Sequence, residues 1–159
     1  MAEKVGIAAF SFALWKDREP NRCNKRLGYQ VGRAVKLLKN LDKESVVSSQ
    51  WEAALAVPNE YPVALTVHEY QYKGQYLDSK EVSRQIAEEF HRRGVTRVIV
   101  IANPFLHLFL CKREMRKLGF KIYPFKVWWI GFLPDSDQWW CKGPIRLLIY
   151  TVGKMLRFV

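Results

Sequence analysis

Short apolar runs alternate with helix-spaced segments along most of this chain, and that alternation most constrains its fold. Val5 to Leu14 is a near-continuous apolar run, too short to cross a membrane and suited to a strand buried on both faces. Segments 45–49, 61–67, 97–102 and 121–127 read as four more strands, with Pro62 tolerable near the start of its own. Between them, Leu27, Val31, Ala34, Val35, Leu38 and Leu41 form one stripe of a helix running from about Asn24 to Leu41. Trp51 to Val57 reads as a short helix stopped by Pro58 and Asn59. Val82, Ile86, Ala87 and Phe90 mark another that ends at Gly94, with Asp78 and Glu81 at capping-box spacing at its start. Asn103 and Pro104 have the character of an N-cap and a first helical residue, and Gly119 ends that last crossover helix.

Strands joined by helical crossovers predict an α/β chain: an open, mostly parallel five-stranded sheet with helices on both faces, in three layers. No linker or internal repeat interrupts residues 1–159, so one domain is expected. No stretch approaches eighteen apolar residues, and the N-terminus lacks the basic-then-apolar pattern of a secretory signal. Cys23, Cys111 and Cys141 are far apart and odd in number, which predicts a reduced, cytoplasmic protein without a disulfide framework.

The formal charge of +11 favours anionic partners: nucleic acid, phosphorylated small molecules or an anionic membrane surface. Lys16, Arg18, Arg22, Lys25 and Arg26 cluster after the first strand, and Arg33, Lys36 and Lys39 continue along the next helix. Arg92, Arg93 and Arg97 form a second group, and Lys112, Arg113, Arg116 and Lys117 a third. The plainer reading of these groups is solvated helix faces.

Residues 128–159 form a tryptophan-rich extension holding Trp128, Trp129, Trp139 and Trp140. From Pro144 onward, Ile145, Leu148, Ile149, Val152, Met155, Leu156 and Val159 share one helical stripe, with Arg146, Lys154 and Arg157 opposite. Such a helix covers a sheet more often than it lies on an anionic membrane, so packing is the expectation and peripheral attachment the alternative.

In open parallel sheets, ligands bind beyond the carboxyl ends of the strands. The polar residues there are Ser11 after strand one, Ser48, Ser49 and Gln50 after strand two, and His68 and Glu69 after strand three. Asn103 follows strand four, and His107 lies one turn further on. Their convergence predicts a pocket. Each has a plainer reading: Asn103 and Ser79 as helix caps, Ser48 to Gln50 as a polar turn, and His107 as a core or rim histidine. Glu69, directly after a buried strand, is expected to be desolvated or paired. Glu52 and Glu60 are expected at the surface. The chain has no GxGxxG, no GxxxxGK[ST], no GxSxG and no HExxH, which removes the dinucleotide fingerprint, the P-loop, the nucleophile elbow and the zincin site. Cys111, four residues after His107, has the spacing of a thiol–imidazole pair, but that spacing more often describes ordinary helix neighbours.

The segment Ile99-Val100-Ile101-Ala102-Asn103-Pro104-Phe105-Leu106-His107, followed by Lys117-Leu118-Gly119-Phe120, resembles the YdcF/SanA/ElyC-like domain of unknown function, a bacterial family with a Rossmann-like fold. The resemblance covers residues 5 to about 140. Under it Arg26 stands for the family's arginine, Glu69 and Ser79 for its acidic residue and serine, and His107 for its histidine. Where the family carries Ser-Gly-Gly this chain has Ser48-Ser49-Gln50, and Leu110 stands in place of an arginine. The resemblance implies a Rossmann-like fold and an association with envelope processes, with no settled reaction.

The resulting expectation is a site for an anionic or nucleotide-like small molecule, bound by Arg26, Ser48, Ser49, Gln50, Ser79 and Asn103. Glu69 and His107 would do any acid–base work there. Catalysis, cofactor and oligomeric state are left open. Two alternatives compete. One is nucleic-acid binding, with Tyr70, Tyr72 and Tyr76 as stacking faces beside Lys73. The other is a membrane-surface or protein-interaction role through the tryptophan-rich C-terminus.

Overall fold

A computed structural model describes residues 2–13, 20–68 and 77–156, the Lys154 side chain excepted. Five parallel strands form one sheet: β1 (Lys4–Ala9), β2 (Glu44–Gln50), β3 (Val63–Val67), β4 (Arg97–Ile101) and β5 (Lys121–Ile122), in the order β3-β2-β1-β4-β5. The helices are α1 (Arg22–Asn40), α2 (Trp51–Ala54), α3 (Ser79–Arg92), α4 (His107–Lys117) and α5 (Pro144–Leu156), with a 3₁₀ turn at Trp139–Lys142.

The period-two alternation of the strands generates the three layers. Along β1 and β4, Val5, Ile7, Ala9, Ile99 and Ile101 face the apolar stripe of α1, which presents Leu27, Val31, Ala34 and Leu38. Ala8, Phe10, Val98 and Val100 face the other way, onto Val82, Ile86 and Phe90 of α3 and Met115 of α4. Each Ile, Leu or Phe buried in full contributes about 1.5–3 kcal/mol, so the central strands anchor the fold from both sides. The fold is the expected three-layer, Rossmann-like α/β architecture.

Several boundaries differ from the sequence expectation. β1 ends at Ala9, with the Phe10 amide making one more bond to Ile101 O at 2.9 Å before the chain turns at Ala13, whose φ is 72°. α1 begins two residues earlier than the apolar stripe suggests, since Asn21 Oδ1 accepts the Cys23 and Asn24 amides at 2.8 and 2.9 Å and caps the helix. Asn103 does not cap α4: its Oδ1 accepts the Phe105 amide at 3.0 Å, closing a turn, and the helix begins only at His107. β5 pairs over Lys121 and Ile122 alone, and the chain beyond runs back across α1 as a strap rather than as a strand to Val127. At α3 the expected cap holds, with Asp78 Oδ1 accepting the Glu81 amide at 2.9 Å.

α1 crosses the turn after α2 at very short range. A Cβ on Gly28 would stand 2.1 Å from the Ala56 carbonyl oxygen, an overlap that only backbone movement relieves. Gly-to-Ala raises stability by about 1 kcal/mol in an exposed helix interior. Here the sign reverses: Gly28→Ala is expected to destabilise by about 1–3 kcal/mol, with Tm falling about 2–4 °C per kcal/mol. Thermal melts followed by circular dichroism check this, and an unchanged or raised Tm would contradict the close crossing.

Candidate functional site

β1 lies between β2 and β4, so the chain leaves its carboxyl end toward one half of the sheet while β4 serves the other. That is the topological switch point at which open α/β sheets form crevices. A cavity of about 40 Å³ lies there, lined by Ser11 and Phe12 after β1, Gln50 and Glu52 after β2, Ser79 at the start of α3 and His107 at the start of α4. Trp140, Cys141, Leu147 and Tyr150 from the C-terminal extension close its other side. With about 10–15 Å³ needed per water, the space suits a few waters or the polar end of a ligand.

Ser11 is the hub of the polar lining. Its amide donates to Gln50 Oε1 at 3.2 Å, and its hydroxyl accepts the Ala53 amide at 3.0 Å, which fixes the turn from β2 into α2. This places Glu52 inside the protein. The carboxylate expected at the surface is 3 % exposed, and among the described residues no donor reaches its Oε2. Burial raises its pKa above the ordinary carboxylate value, opposed by its own backbone amide, by the Ser11 hydroxyl and by the charge on His68. His68 itself stacks on Trp51 with ring centroids 6.2 Å apart.

His107 shows the complementary behaviour. Its ring lies against Phe10 and Phe12, with centroids at 6.4 and 5.9 Å, and among the described residues Nδ1 is buried without a partner. Burial lowers its pKa to about 4, so the imidazole is neutral at physiological pH. Tyr150, raised to about 12 chiefly by burial and then by the Asp78 charge, keeps its phenolic proton. The cavity thus combines a carboxyl held toward its neutral form, a neutral imidazole and a phenol, all unusual in their desolvation.

Of the residues picked out by sequence, Ser11, Gln50, Ser79 and His107 meet in this cavity. Ser48 and Ser49 are buried in β2; the Ser49 hydroxyl donates to Gln50 O at 2.9 Å, while Ser48 Oγ has no partner among the described residues. Asn103 is buried as a brace, its Nδ2 donating to Gly131 O at 2.9 Å. The Arg26 guanidinium donates to Ile130 O at 3.1 Å and does not line the cavity. Glu69, Tyr70, Tyr72, Lys73 and Tyr76 lie outside the described residues. The Cys111 thiol, wholly buried, is pushed well above its ordinary pKa by burial and by Glu114, which leaves it protonated and unsuited to a nucleophilic pair with His107. Among the described residues, no group of His, Cys, Asp and Glu is arranged to hold a metal ion.

A second hollow of about 490 Å³ adjoins the first and shares Asp78, Ser79 and Tyr150 with it. Its charged lining is mixed with a basic excess: Lys80, Arg113 and Lys117 against Asp78 and Glu114, with Lys117 and Glu114 paired at 2.7 Å.

The two buried groups give opposite pH signatures. His107 binds its proton more weakly in the folded state, so its contribution is complete above its ordinary value of 6.5 and lost as pH falls toward 4. Glu52 binds its proton more strongly when folded, so its contribution is present below its ordinary value of 4.5 and lost as pH rises. Denaturant unfolding from pH 4 to 7 is expected to show up to about 3 kcal/mol of His107-dependent stabilisation, a slope flattened in His107→Gln. Glu52→Gln is expected to be more stable than the parent at pH 7. Parallel curves for parent and His107→Gln would contradict a buried neutral imidazole.

No protein-family model, curated protein or solved structure matches this chain, so the candidate site stands on its geometry alone.

Proposed function

We propose that the protein binds a small polar molecule at the switch-point cavity, with an anionic portion of that molecule lying in the adjoining basic hollow. One observation carries the reading: Glu52 and His107 line the same cavity, and each has a buried polar atom, Oε2 and Nδ1, without a partner among the described residues. A buried polar atom left without a partner costs about 1–3 kcal/mol, and a ligand offering a donor to each would remove that cost. Glu52 would accept from a hydroxyl or amino group, and His107 would complete the contact through Nδ1. The neutral-leaning carboxyl and imidazole are the pair that proton transfer would use, were the bound molecule to react.

The adjacency of the two hollows, which share Asp78, Ser79 and Tyr150, supports an anionic or nucleotide-like ligand. A polar head in the inner cavity would leave a phosphate beside Lys80 and Arg113. The same reading takes the chain as a divergent relative of the YdcF/SanA/ElyC-like family, supported by the place of His107 at the strand-end cavity.

Thermal-shift measurements against nucleotides, sugar phosphates, S-adenosylmethionine and short RNA, at low and moderate salt, test the proposal. Saturation with one small-molecule class is expected to stabilise by about 2–3 kcal/mol, a rise of about 5–10 °C. Glu52→Gln and His107→Gln should each remove more than half of the shift. Arg113→Ala should weaken the phosphorylated ligand and leave its dephosphorylated counterpart unchanged. A shift that survives both cavity variants, or one given by RNA alone and fading with salt, would overturn the reading.

A further inference from the structure

The last helix turns its apolar side outward. Ile145, Leu148, Ile149, Val152, Met155 and Leu156 are 45–71 % exposed, while Leu147 and Thr151 on the opposite side are 1 % and 3 % exposed. The stripe expected to cover the sheet is therefore not the face that packs: α5 docks through Leu147, Thr151 and Tyr150, which closes the cavity. A row of six large apolar side chains along one exposed helix face is uncommon at a protein surface that meets only water.

We propose that this face of α5 docks on an anionic lipid bilayer, with the helix lying in the interface plane. The helix has thirteen residues, about 20 Å, which is long enough to lie along a surface and too short to cross it. Charge selects the occupant. From Gln138 to Val159 the chain contains no Asp or Glu, while Lys142, Arg146, Lys154 and Arg157 are basic. Across the hollow beside Met155, Arg113 of α4 adds positive charge at the edge of the same face, where Lys117 is paired with Glu114. A second copy docked face to face would present its own α5, which carries the exposed Arg146 and no acidic residue, and so would offer Arg146 and Arg113 no counter-charge from that helix. Anionic headgroups compensate them directly. Trp139, 41 % exposed in the turn preceding α5, has the amphipathic ring that favours headgroup depth.

Co-sedimentation of the full chain with vesicles of phosphatidylcholine alone, or of phosphatidylcholine with about 30 % phosphatidylglycerol, tests the proposal. Partition is expected to be at least tenfold stronger on the anionic vesicles. The double variant Ile149→Gln/Val152→Gln keeps the net charge and replaces two exposed side chains, so its Tm should match the parent while partition falls about tenfold or more. In the unmodified chain, brominated lipid should quench tryptophan emission, and less so in Trp139→Phe. Failure to bind anionic vesicles overturns the proposal. So does binding that salt abolishes but the double variant leaves intact, which would be adsorption by charge alone. A concentration-dependent dimer by light scattering that the double variant dissolves would assign the face to a second copy instead.

Discussion

Three consecutive carbonyls in the strap that follows β5 are each gripped by a side chain from elsewhere in the fold. Arg26 holds Ile130 O at 3.1 Å, Asn103 holds Gly131 O at 2.9 Å and Arg22 holds Phe132 O at 2.9 Å. A further arginine, Arg33, stacks over the Trp128 ring at 3.4 Å and so fixes the strap one segment earlier. Backbone carbonyls in a segment without sheet or helix partners need donors, and guanidinium and amide groups supply them without any side-chain requirement on the strap itself. Everything that closes the cavity follows this segment in the chain. Once the strap is seated, Cys141 O accepts the Leu133 amide at 3.0 Å, and the tryptophan-rich turn comes to rest under α5 with Trp140 stacked on Tyr150 at 4.6 Å. The switch-point crevice is general to the fold, but its roof in this chain depends on the grip of α1 on the strap.

That grip also reassigns the largest basic cluster. Arg22, Arg26 and Arg33 recur along α1 at spacings that share a face, and the sequence alone suggests a surface for an external anion. In the structure all three are engaged with the chain's own backbone, since Arg33 also donates to Lys126 O at 3.4 Å. The positive charge close to the cavity comes instead from Lys80, in the first turn of α3, and Arg113, midway along α4, which become neighbours only when the helices pack, while Lys117 at the end of α4 is paired with Glu114. A net charge of +11 therefore says little about where an anion would sit until internal partners have been subtracted.

The alternation of strands and helices was legible because it depends on local patterning: period two within strands and a single apolar stripe on α1 and α3. What escaped was decided by contacts between segments. Glu52 looks like a surface residue in a short helix, and only Ser11, 42 positions away from Ala53, turns that helix so that its first-turn carboxylate enters the protein. Asn103 has the sequence character of an N-cap and does accept a nearby amide, but its other amide edge is committed to Gly131, and the helix starts four residues later. The stripe of α5 was correctly read as apolar and helical. Its direction was not readable, because periodicity reports that a face exists and leaves open whether protein, lipid or water meets it.

The cavity and the outward face of α5 are linked through one helix, and their demands on it differ. Tyr150 must remain packed, because its ring stacks on Trp140 and the residue lines the cavity. Ile149, immediately before it, is 57 % exposed and makes no comparable contribution to the interior. A helix that simply covered a core would bury its widest apolar arc, since each such side chain returns about 1.5–3 kcal/mol on burial. α5 instead spends its narrow side on the protein, with Leu147 and Thr151, and leaves the broad apolar arc outside. The arrangement is unfavourable for an isolated chain in water and becomes favourable when a second apolar phase meets the exposed arc. Under that condition α5 is held between two surfaces, and the roof of the cavity is steadied from the side opposite the sheet.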